Sequence, residues 1–512
     1  MAIIETTVET GRVRGIRGNN QAFSLFLGIP YAAPPIGELR WRAPQPAPAW
    51  EGTLLAGEYR EIPMQNRFPK GSFFQRESYP IELPMSEDCL YINVTTPAES
   101  SGERLPVALW IYGGAYRRGF ANKLETDGEA FAKRGVVFVS FNYRLGAFGY
   151  FAHPDLRKEA VRHVSGNYGL QDQIFALEWV CRNIAAFGGD PERITVFGQS
   201  AGAMSAQMLT STPITRGKIQ RAIFESGGGL GGMTGPGQAS SEPMEDMERR
   251  GEKFLSRLGV NSIEEARLLP AERILEGYTA FEQEIGIGII PFCPAVDGYY
   301  LSKPLYQTVL DGDEHDIDYL LGCCSNESST WMEKPDRKDP EEAVAMLRGR
   351  YGAEAEPIIR ELAADTPEGA EQYLLGQMTL KMYQGVLNWC DYRAKTGKKA
   401  SYLYMFTRDV PDHPFGGTYH SGEHMYIFRT IARSWRNYTG ADYELSGQVC
   451  DYWTNFIKTG NPNGNGLSVW QPYTCDGENC MALDQKCHMM AFPRNILLDA
   501  EQALLFQLSE GY

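Results

Sequence analysis

Ser200 lies in a pattern that allows a serine hydroxyl to act as a nucleophile. It is the central residue of Gly198-Gln-Ser-Ala-Gly202, which follows the apolar run ITVFG and precedes a helix-compatible run that starts at Ala201. The two glycines permit a strand-to-helix turn so tight that the serine is strained and its hydroxyl exposed. The start of the following helix favours developing negative charge. The pattern predicts nucleophilic catalysis by Ser200, although a glycine-serine turn without chemistry has the same short signature.

A second loop of small residues could stabilise the negative charge that such an attack creates. The apolar run VALWIY leads into Gly113-Gly114-Ala115-Tyr116, where little side-chain bulk keeps a ligand from the backbone. We predict that the N–H groups of Gly114 and Ala115, together with that of Ala201, form an oxyanion hole. The alternative is a glycine turn that only ends a strand.

The segments around these two loops alternate between apolar strands and amphipathic helices. A helix is expected at 171–187, and strands are expected at 107–113, 136–144, 194–198, 222–226, 318–324 and 400–406. Continuous apolar strands are typical of a mostly parallel sheet with helices on both faces. We predict an α/β fold of the α/β-hydrolase type, with one domain over 1–512 and helical cap insertions at about 230–317 and 332–398.

A histidine must act as the general base. In α/β-hydrolases the histidine follows the nucleophile and the acid along the chain, which leaves His315, His413, His420, His424 and His488. His420 is the best placed, because it lies after the last predicted strand in a glycine-punctuated loop. Its Nε2 would take the proton of Ser200 and pass it to the leaving alcohol, which requires a neutral imidazole. His420 and His424 could instead be a metal-binding pair, but no adjacent H-E-x-x-H glutamate supports this.

The acid of the site should be a carboxylate just beyond a strand between residues 226 and 420. Glu327 follows the predicted strand 318–324, and Asp297 lies in the turn Pro294-Ala-Val-Asp-Gly298. Either could hold the Nδ1–H of His420 and stabilise the imidazolium. On the residues alone, a solvated loop carboxylate is the more common role of such a glutamate. We prefer Glu327.

Composition excludes several classes of function. Lys and Arg number 49 against 64 Asp and Glu, and the net charge of −15 disfavours binding to nucleic acids or anionic membranes. The N-terminal segment does not look like a signal peptide and no run has membrane-spanning length, so a cytoplasmic location is expected. The ten cysteines are dispersed without zinc-binding spacing, so we expect reduced thiols, no metal and no cofactor; Cys475 and Cys480 are the one local pair. The oligomeric state is left open.

The run Gly227-Gly-Gly-Leu-Gly-Gly232 formally matches the dinucleotide-binding pattern G-x-G-x-x-G. A phosphate-binding loop of that kind opens a helix, whereas Met233-Thr-Gly-Pro-Gly follows here. We therefore expect no dinucleotide site. Ser226, just before the run, could support the catalytic residues with its hydroxyl or could simply end a strand.

The whole chain resembles the type-B carboxylesterase family, which includes the cholinesterases. Motifs in one order carry the resemblance: GIPYA (28–32), PPIGELRW (34–41), SEDCLYINV (86–94), NYRLG (142–146), GNYGLQDQ (166–173), FGGDP (187–191), YWTNF (452–456) and GNPNG (460–464). The family's G-x-x-H-x-x-E segment matches at His420, and its G-x-N-x-D-E-G segment aligns at Glu327, with Ser328 replacing the last glycine. The resemblance also implies buried ion pairs that join Arg40 to Glu87 and Arg144 to Asp172.

Three departures from the family pattern bear on function. Ala115 replaces the third glycine of the oxyanion loop, which keeps the N–H donor but adds a methyl group on the acyl side. No cysteine precedes Cys89, so the disulfide of secreted members cannot form there. The segment 70–85 contains Phe73, Phe74 and Tyr79 but no tryptophan, which argues against a specialist for choline esters.

These observations predict a carboxylic ester hydrolase that forms an acyl-enzyme on Ser200 and uses small-molecule esters and water. The predicted substrates are broad or of the aryl or hydroxycinnamoyl type, because Tyr116, Trp331 and Tyr419 neighbour the predicted oxyanion, acid and base positions. Core packing of these aromatic residues is equally compatible with the sequence. The alternatives are amide hydrolysis by the same residues and a non-catalytic recognition module on the same fold.

Overall fold

The structure is a computed structural model that describes residues 1–19, 21–286, 289–331, 339–413, 416–477 and 479–510. Within these ranges the strands are β1 Glu5–Val8, β2 Gly11–Arg14, β3 Ile16–Arg17, β4 Ser24–Pro30, β5 Thr53–Leu55, β6 Ile62–Pro63, β7 Met85–Ser86, β8 Tyr91–Thr96, β9 Leu105–Ile111, β10 Val137–Phe141, β11 Gly189–Gln199, β12 Arg221–Glu225, β13 Asp318–Cys324, β14 Tyr402–Phe406, β15 Cys480–Leu483 and β16 His488–Met490.

The helices in the same ranges are α1 Phe73–Ser78, α2 Glu129–Ala132, α3 Gly146–Tyr150, α4 Pro154–Glu159, α5 Tyr168–Asn183, α6 Ala201–Ser211, α7 Met244–Leu258, α8 Ile263–Arg267, α9 Ala271–Ile285, α10 Leu305–Leu310, α11 Pro340–Tyr351, α12 Ala355–Leu362, α13 Pro367–Leu375, α14 Gln377–Lys395, α15 His424–Ile427, α16 Gly440–Thr459 and α17 Ile496–Glu510.

One large mixed sheet organises the molecule. In the described residues its order is β16-β15-β14-β13-β12-β11-β9-β10-β8-β4-β3. Every pairing from β10 through β9, β11, β12, β13 and β14 to β15 is parallel, and the outer strands pair antiparallel. Strands whose side chains are buried on both faces carry continuous apolar sequences, and β9 to β13 do so. The predicted α/β-hydrolase fold with a mostly parallel sheet is confirmed.

The strands of this sheet that the sequence patterns missed lie toward its two edges. Strands β3, β4, β8 and β16 pair only antiparallel, β15 pairs parallel with β14 and antiparallel with β16, and none of the five was predicted. They are short or interrupted by polar residues, glycine or proline, so they lack the continuous apolar run that marks a central strand.

Helical segments fill both intervals predicted as cap insertions. Helices α7 to α10 lie between β12 and β13, and α11 to α14 lie between β13 and β14. The second group has a small core of its own, which includes Leu347, Ile358, Leu374 and Leu497 of α17. The treatment of the chain as one domain stays a prediction.

Two buried ion pairs fix the first half of the fold, and both are the pairs that the resemblance implied. Arg40 Nε donates to Glu87 at 2.7 Å, and Arg144 Nε donates to Asp172 at 2.8 Å. The Arg40 guanidinium also donates to the carbonyl groups that end α8, so it ties the first insertion to the N-terminal region. A buried charge is tolerated only when it is paired and hydrogen-bonded in this way. All ten cysteines are free, so Cys475 and Cys480 do not form a disulfide.

Candidate active site

The chain turns sharply at Ser200, between the end of β11 and the start of α6. Ser200 has φ 58° and ψ −126°, a conformation that a side-chain-bearing residue rarely adopts. A Cβ atom on Gly198 would lie 2.5 Å from the Ile111 carbonyl oxygen, and one on Gly202 would lie 2.1 Å from the same atom. The two glycines of the motif are thus required for β11 and α6 to pack against the end of β9. The backbone N–H of Ser200 donates to the Glu225 carbonyl at 2.8 Å, which fixes the turn to β12.

The small-residue loop after β9 lies directly against Ser200. A Cβ atom on Gly113 would lie 3.1 Å from the Ser200 Cβ atom. Gly114 and Ala115 have φ 124° and 56°, so the backbone of the loop turns sharply here and cannot continue β9 as a regular strand. Among the described residues, the N–H groups of Gly114 and Ala115 donate to no protein acceptor. Unpartnered N–H groups next to a nucleophile are what an oxyanion hole requires.

The predicted base and acid are in direct contact. His420 Nδ1 lies 2.5 Å from Glu327 Oε2, and the side chains of the two residues are 7% and 0% exposed. The other oxygen of Glu327 accepts from the Cys324 N–H at 2.7 Å, which anchors the carboxylate to the end of β13. A carboxylate on Nδ1 fixes the tautomer of a neutral imidazole with its lone pair on Nε2. The structure therefore brings His420 and Glu327 together.

Gln199 connects this pair to the nucleophile, and the sequence patterns did not indicate its role. Its Nε2 amide lies 3.2 Å from His420 Nε2. Because Gln199 directly precedes Ser200, the contact places the imidazole beside the turn that carries the serine. The position is the variable residue of G-x-S-x-G, so only the structure could reveal it.

A buried carboxylate lies behind the base. Glu423 is fully buried and accepts from Ser226 Oγ at 3.1 Å and from Cys324 Sγ at 2.9 Å. Burial, and then the nearby Glu327 carboxylate, raises the pKa of Glu423 above its usual range. Ser226 is thus linked to the neighbourhood of His420, as one of the two readings of its sequence position proposed. The signal for Glu423 was its place three residues after His420.

Close packing against neighbouring backbone requires glycine in the run Gly227–Gly232. A Cβ atom on Gly227 would lie 2.4 Å from the Ser200 carbonyl oxygen, and one on Gly232 would lie 2.0 Å from the Lys381 carbonyl oxygen. The run therefore lets the chain pass between the Ser200 turn and α14. It is followed by a short turn at Gly232–Thr234 rather than by a helix that could hold a phosphate.

The three aromatic positions predicted to line a pocket lie in different surroundings. Tyr116 is 1% exposed and its ring packs against Tyr150, so its ring belongs to the core. Tyr419 is 5% exposed, packs against Phe73 and donates to Glu77 at 3.2 Å. Trp331 ends the turn that begins at Glu327, and its side chain lies outside the described residues.

The alternative assignments are accounted for by other contacts. Asp297 accepts hydrogen bonds from Asn167 Nδ2 at 2.8 Å and from the Tyr299 N–H at 2.8 Å, and these contacts stabilise its turn and tie it to the start of α5.

In the described part of the chain no group of three or more His, Cys, Asp or Glu side chains could hold a metal ion. No helix in those ranges is both long and apolar enough to cross a membrane.

The fold and the site together define an α/β-hydrolase. The central strand of a mostly parallel sheet ends in a strained serine turn, and a histidine and a carboxylate follow later strands of the same sheet. The chain belongs to the carboxylesterase family, whose sequence profile matches residues 2–497, and it is accordingly a carboxylesterase (EC 3.1.1.-).

Known proteins similar to this chain are esterases along nearly its full length. It is 32% identical to the para-nitrobenzyl esterase of Bacillus subtilis (strain 168), over 94% of each chain. It is 30% identical to the fumonisin B1 esterase of Sphingopyxis macrogoltabida, over 92% of this chain and 84% of that one. The solved structure of a thermophilic PNB esterase has a TM-score of 0.82 and 28% identity and covers 97% of this chain and 99% of its own. A Geobacillus stearothermophilus carboxylesterase structure has a TM-score of 0.81 and 29% identity, with 98% and 99% covered.

Proposed function

We propose that the protein hydrolyses carboxylic esters through an acyl-enzyme formed on Ser200. The observation that carries the proposal is the 2.5 Å contact of His420 Nδ1 with Glu327. The other ring nitrogen, Nε2, contacts the amide of Gln199, which directly precedes the strained serine. The carboxylate on Nδ1 directs the lone pair of a neutral His420 to Nε2; the Gln199 amide lies on that nitrogen in this structure, and the proposed reaction requires the Ser200 hydroxyl to take its place.

The reaction proceeds in two half-reactions that use the same groups. Ser200 Oγ attacks the ester carbonyl carbon while His420 Nε2 takes its proton, and Glu327 stabilises the imidazolium. The oxyanion accepts hydrogen bonds from the N–H groups of Gly114, Ala115 and Ala201. Collapse breaks the ester bond and His420 protonates the leaving alcohol. Water, deprotonated by His420, then attacks the acyl group and releases the acid with regeneration of Ser200.

The substrates that we propose are small carboxylic esters, with a preference for esters that carry an aromatic group of the aryl or hydroxycinnamoyl type. Phe73 packs edge-to-face on Tyr419 at 4.9 Å between ring centroids, and Tyr419 directly precedes His420. Phe73 also contacts Phe74, so aromatic side chains cluster against the residue that directly precedes the base. One similar protein is named for a nitrobenzyl ester, which supports an aromatic preference. Others are named for fumonisin B1 and cocaine, which supports breadth.

Esters are preferred over amides as substrates, because an alkoxide leaves more readily than an amine and needs less help from the protonated His420. A non-catalytic recognition role is disfavoured, since Ser200, Glu327, His420 and the oxyanion loop are all retained. We also propose that the protein works in the reducing cytoplasm, which is consistent with ten free thiols.

Substitution of Ser200 tests the reaction. With p-nitrophenyl acetate, Ser200→Ala should lose about 10⁶-fold in kcat, because the nucleophile acts as a unit with its base. The exposed Ser256 on α7 provides the matched control, and Ser256→Ala should keep the wild-type rate. An organophosphate should label Ser200 in the wild type and in the control. Wild-type turnover by Ser200→Ala, or labelling of a different serine, would contradict the proposal.

A further inference from the structure

A large cavity lies apart from the proposed catalytic groups. It measures about 710 Å³, is open to solvent on one side, and is lined by the glycine turn after β12 and by residues of helices α11, α13, α14 and α17. None of Ser200, Glu327 and His420 is among the residues that line it. Its volume is within the range of about 300–1,000 Å³ that small-molecule sites occupy.

Most of the charge on the cavity wall is already neutralised. Glu501 accepts from the Arg350 guanidinium at 2.9 and 2.7 Å and from the Tyr351 hydroxyl at 2.7 Å. Gln384 donates to the same carboxylate at 3.2 Å. The lone pairs of Glu501 are therefore committed to these partners, and the Arg350–Glu501 pair contributes no net charge.

Lys381 is the charged residue of the wall that forms no ion pair, because Glu501, whose charge also acts on Lys381, is already paired with Arg350. It lies on α14 and is partly buried, and its ammonium donates to the Gln238 amide oxygen at 3.4 Å. Among the described residues no carboxylate lies within 4.0 Å of its Nζ. Burial lowers the pKa of Lys381, so its ammonium would gain from an anionic partner.

The remainder of the wall is apolar on the side of α17. Leu504 and Leu505 line the cavity together with Leu380 and Met346. A site that combines one cation that forms no ion pair with an aliphatic wall matches an anion that has an apolar tail. It does not match a dianionic phosphate, for which one lysine would be too little charge.

We propose that this cavity binds a monocarboxylate with an aliphatic or aryl tail, with its carboxylate on Lys381 Nζ and its tail against the leucines of α17. Acids of this class are also products of ester hydrolysis, but binding here does not depend on the reaction at Ser200. The glycine run joins the two places, because Gly227 packs on the Ser200 backbone and Gly231 and Gly232 line the cavity.

Calorimetric titration of the full-length protein with octanoate tests the site, and octanamide serves as the neutral probe of the same length. Ser200→Ala is the host for every titration, so that turnover plays no part. In that host, Lys381→Met should weaken octanoate binding about tenfold or more, since a charge-assisted hydrogen bond is lost. Lys381→Arg should bind within about threefold of the host, because it keeps the charge. The exposed Lys253 on α7 gives the matched control, and Lys253→Met should bind as the host does.

Three results separate the outcomes. Loss of octanoate binding in Lys381→Met, recovered in Lys381→Arg, supports the site even if the ester assay fails. Equal binding of octanoate by Lys381→Met and its host overturns it, whatever the ester assay shows. Equal affinity for octanamide and octanoate also overturns it, because the carboxylate would then make no contact of its own. Thermal unfolding verifies that Lys381→Met is folded, and we expect no loss of stability from removal of a desolvated charge that forms no ion pair.

Discussion

Two histidines four residues apart in the sequence face carboxylates in the interior, but at different distances. His420 Nδ1 lies 2.5 Å from Glu327. His424 Nδ1 lies 4.0 Å from Glu125, and its Nε2 lies 3.9 Å from Glu225. Neither ring nitrogen of His424 has a hydrogen-bond partner among the described residues. Both side chains are almost fully buried, at 7% exposure for His420 and 3% for His424, so burial alone does not distinguish them.

The difference shows that a carboxylate near a histidine is not sufficient for a catalytic pair. A general base needs direct contact with its orienting acid and a path from Nε2 to the nucleophile. His420 has the first through Glu327 and is placed for the second by Gln199. His424 instead packs against the Trp110 ring at 5.5 Å, and its two ring nitrogens lie 4.0 and 3.9 Å from Glu125 and Glu225, which is beyond hydrogen-bonding distance.

The largest expected effect on the reaction rate comes from replacing His420 or His424 with glutamine, one at a time. We expect His420→Gln to lower kcat for p-nitrophenyl acetate by about 10⁵- to 10⁶-fold, because the general base is lost. His424→Gln should change the rate less than about tenfold, since it removes no group that contacts Glu327 or Gln199. Stopped-flow and steady-state assays on folded protein would check both. Comparable losses in the two variants would remove the distinction between the histidines.

Amide substitutions of Glu327 and Glu225, the carboxylates near the two histidines, should also differ in their effect on kcat, with a smaller difference than for the histidines. Glu327→Gln should cost about 10⁴-fold in kcat, because an amide no longer fixes the tautomer of His420 or stabilises its cation. Glu225→Gln should stay within about tenfold of the wild type. Trp453 donates to Glu225 at 2.7 Å, and an amide oxygen can accept that bond equally well. A loss in Glu225→Gln as large as that in Glu327→Gln would show that the second carboxylate also serves the reaction.

Some features of this site could be predicted from sequence, and others depend on packing between distant segments. The central strands have a local signature, continuous apolar runs, and were predicted correctly. Ser200 also has one, a glycine-flanked turn, and the structure places it in a strained turn between β11 and α6. The edge strands β4 and β8 have no continuous apolar run. Glu327 could be assigned only by resemblance, because a loop carboxylate 93 residues from its histidine carries no local mark. The contact of Gln199 with His420 and the surroundings of Tyr116 and Tyr419 depend on which side chains meet across the sheet edge, which no spacing along the chain encodes.

The smallest effect, and the one that sharpens the comparison most, concerns stability against pH. Burial, and then the charges of Lys123 and His420, lowers the pKa of His424 well below its usual value. Its folded-state pKa is thus below that of the unfolded chain, about 6.5. As the pH falls below 6.5, His424 binds a proton in the unfolded chain but stays neutral in the folded protein. Stability is therefore present above pH 6.5 and falls by about 1.4 kcal/mol per pH unit below it.

Urea titrations at pH 5, 6, 7 and 8 would measure this term as the difference between the wild type and His424→Gln. Burial lowers the pKa of His413 to about 4, which acts in the same direction, whereas burial and Glu423 raise the pKa of Glu225, which opposes it. The contribution of His413 cancels in the difference, and titrations in a Glu225→Gln background remove the contribution of Glu225, which lies 3.9 Å from His424 Nε2. We expect the wild type to lose stability faster than His424→Gln between pH 6 and 5, and His488→Gln, at an exposed site, to follow the wild type. Parallel curves for the wild type and His424→Gln would mean that His424 has the same pKa in the folded and unfolded states, and a slope of opposite sign would mean that Glu125 and Glu225 hold His424 as a cation; either result contradicts the prediction.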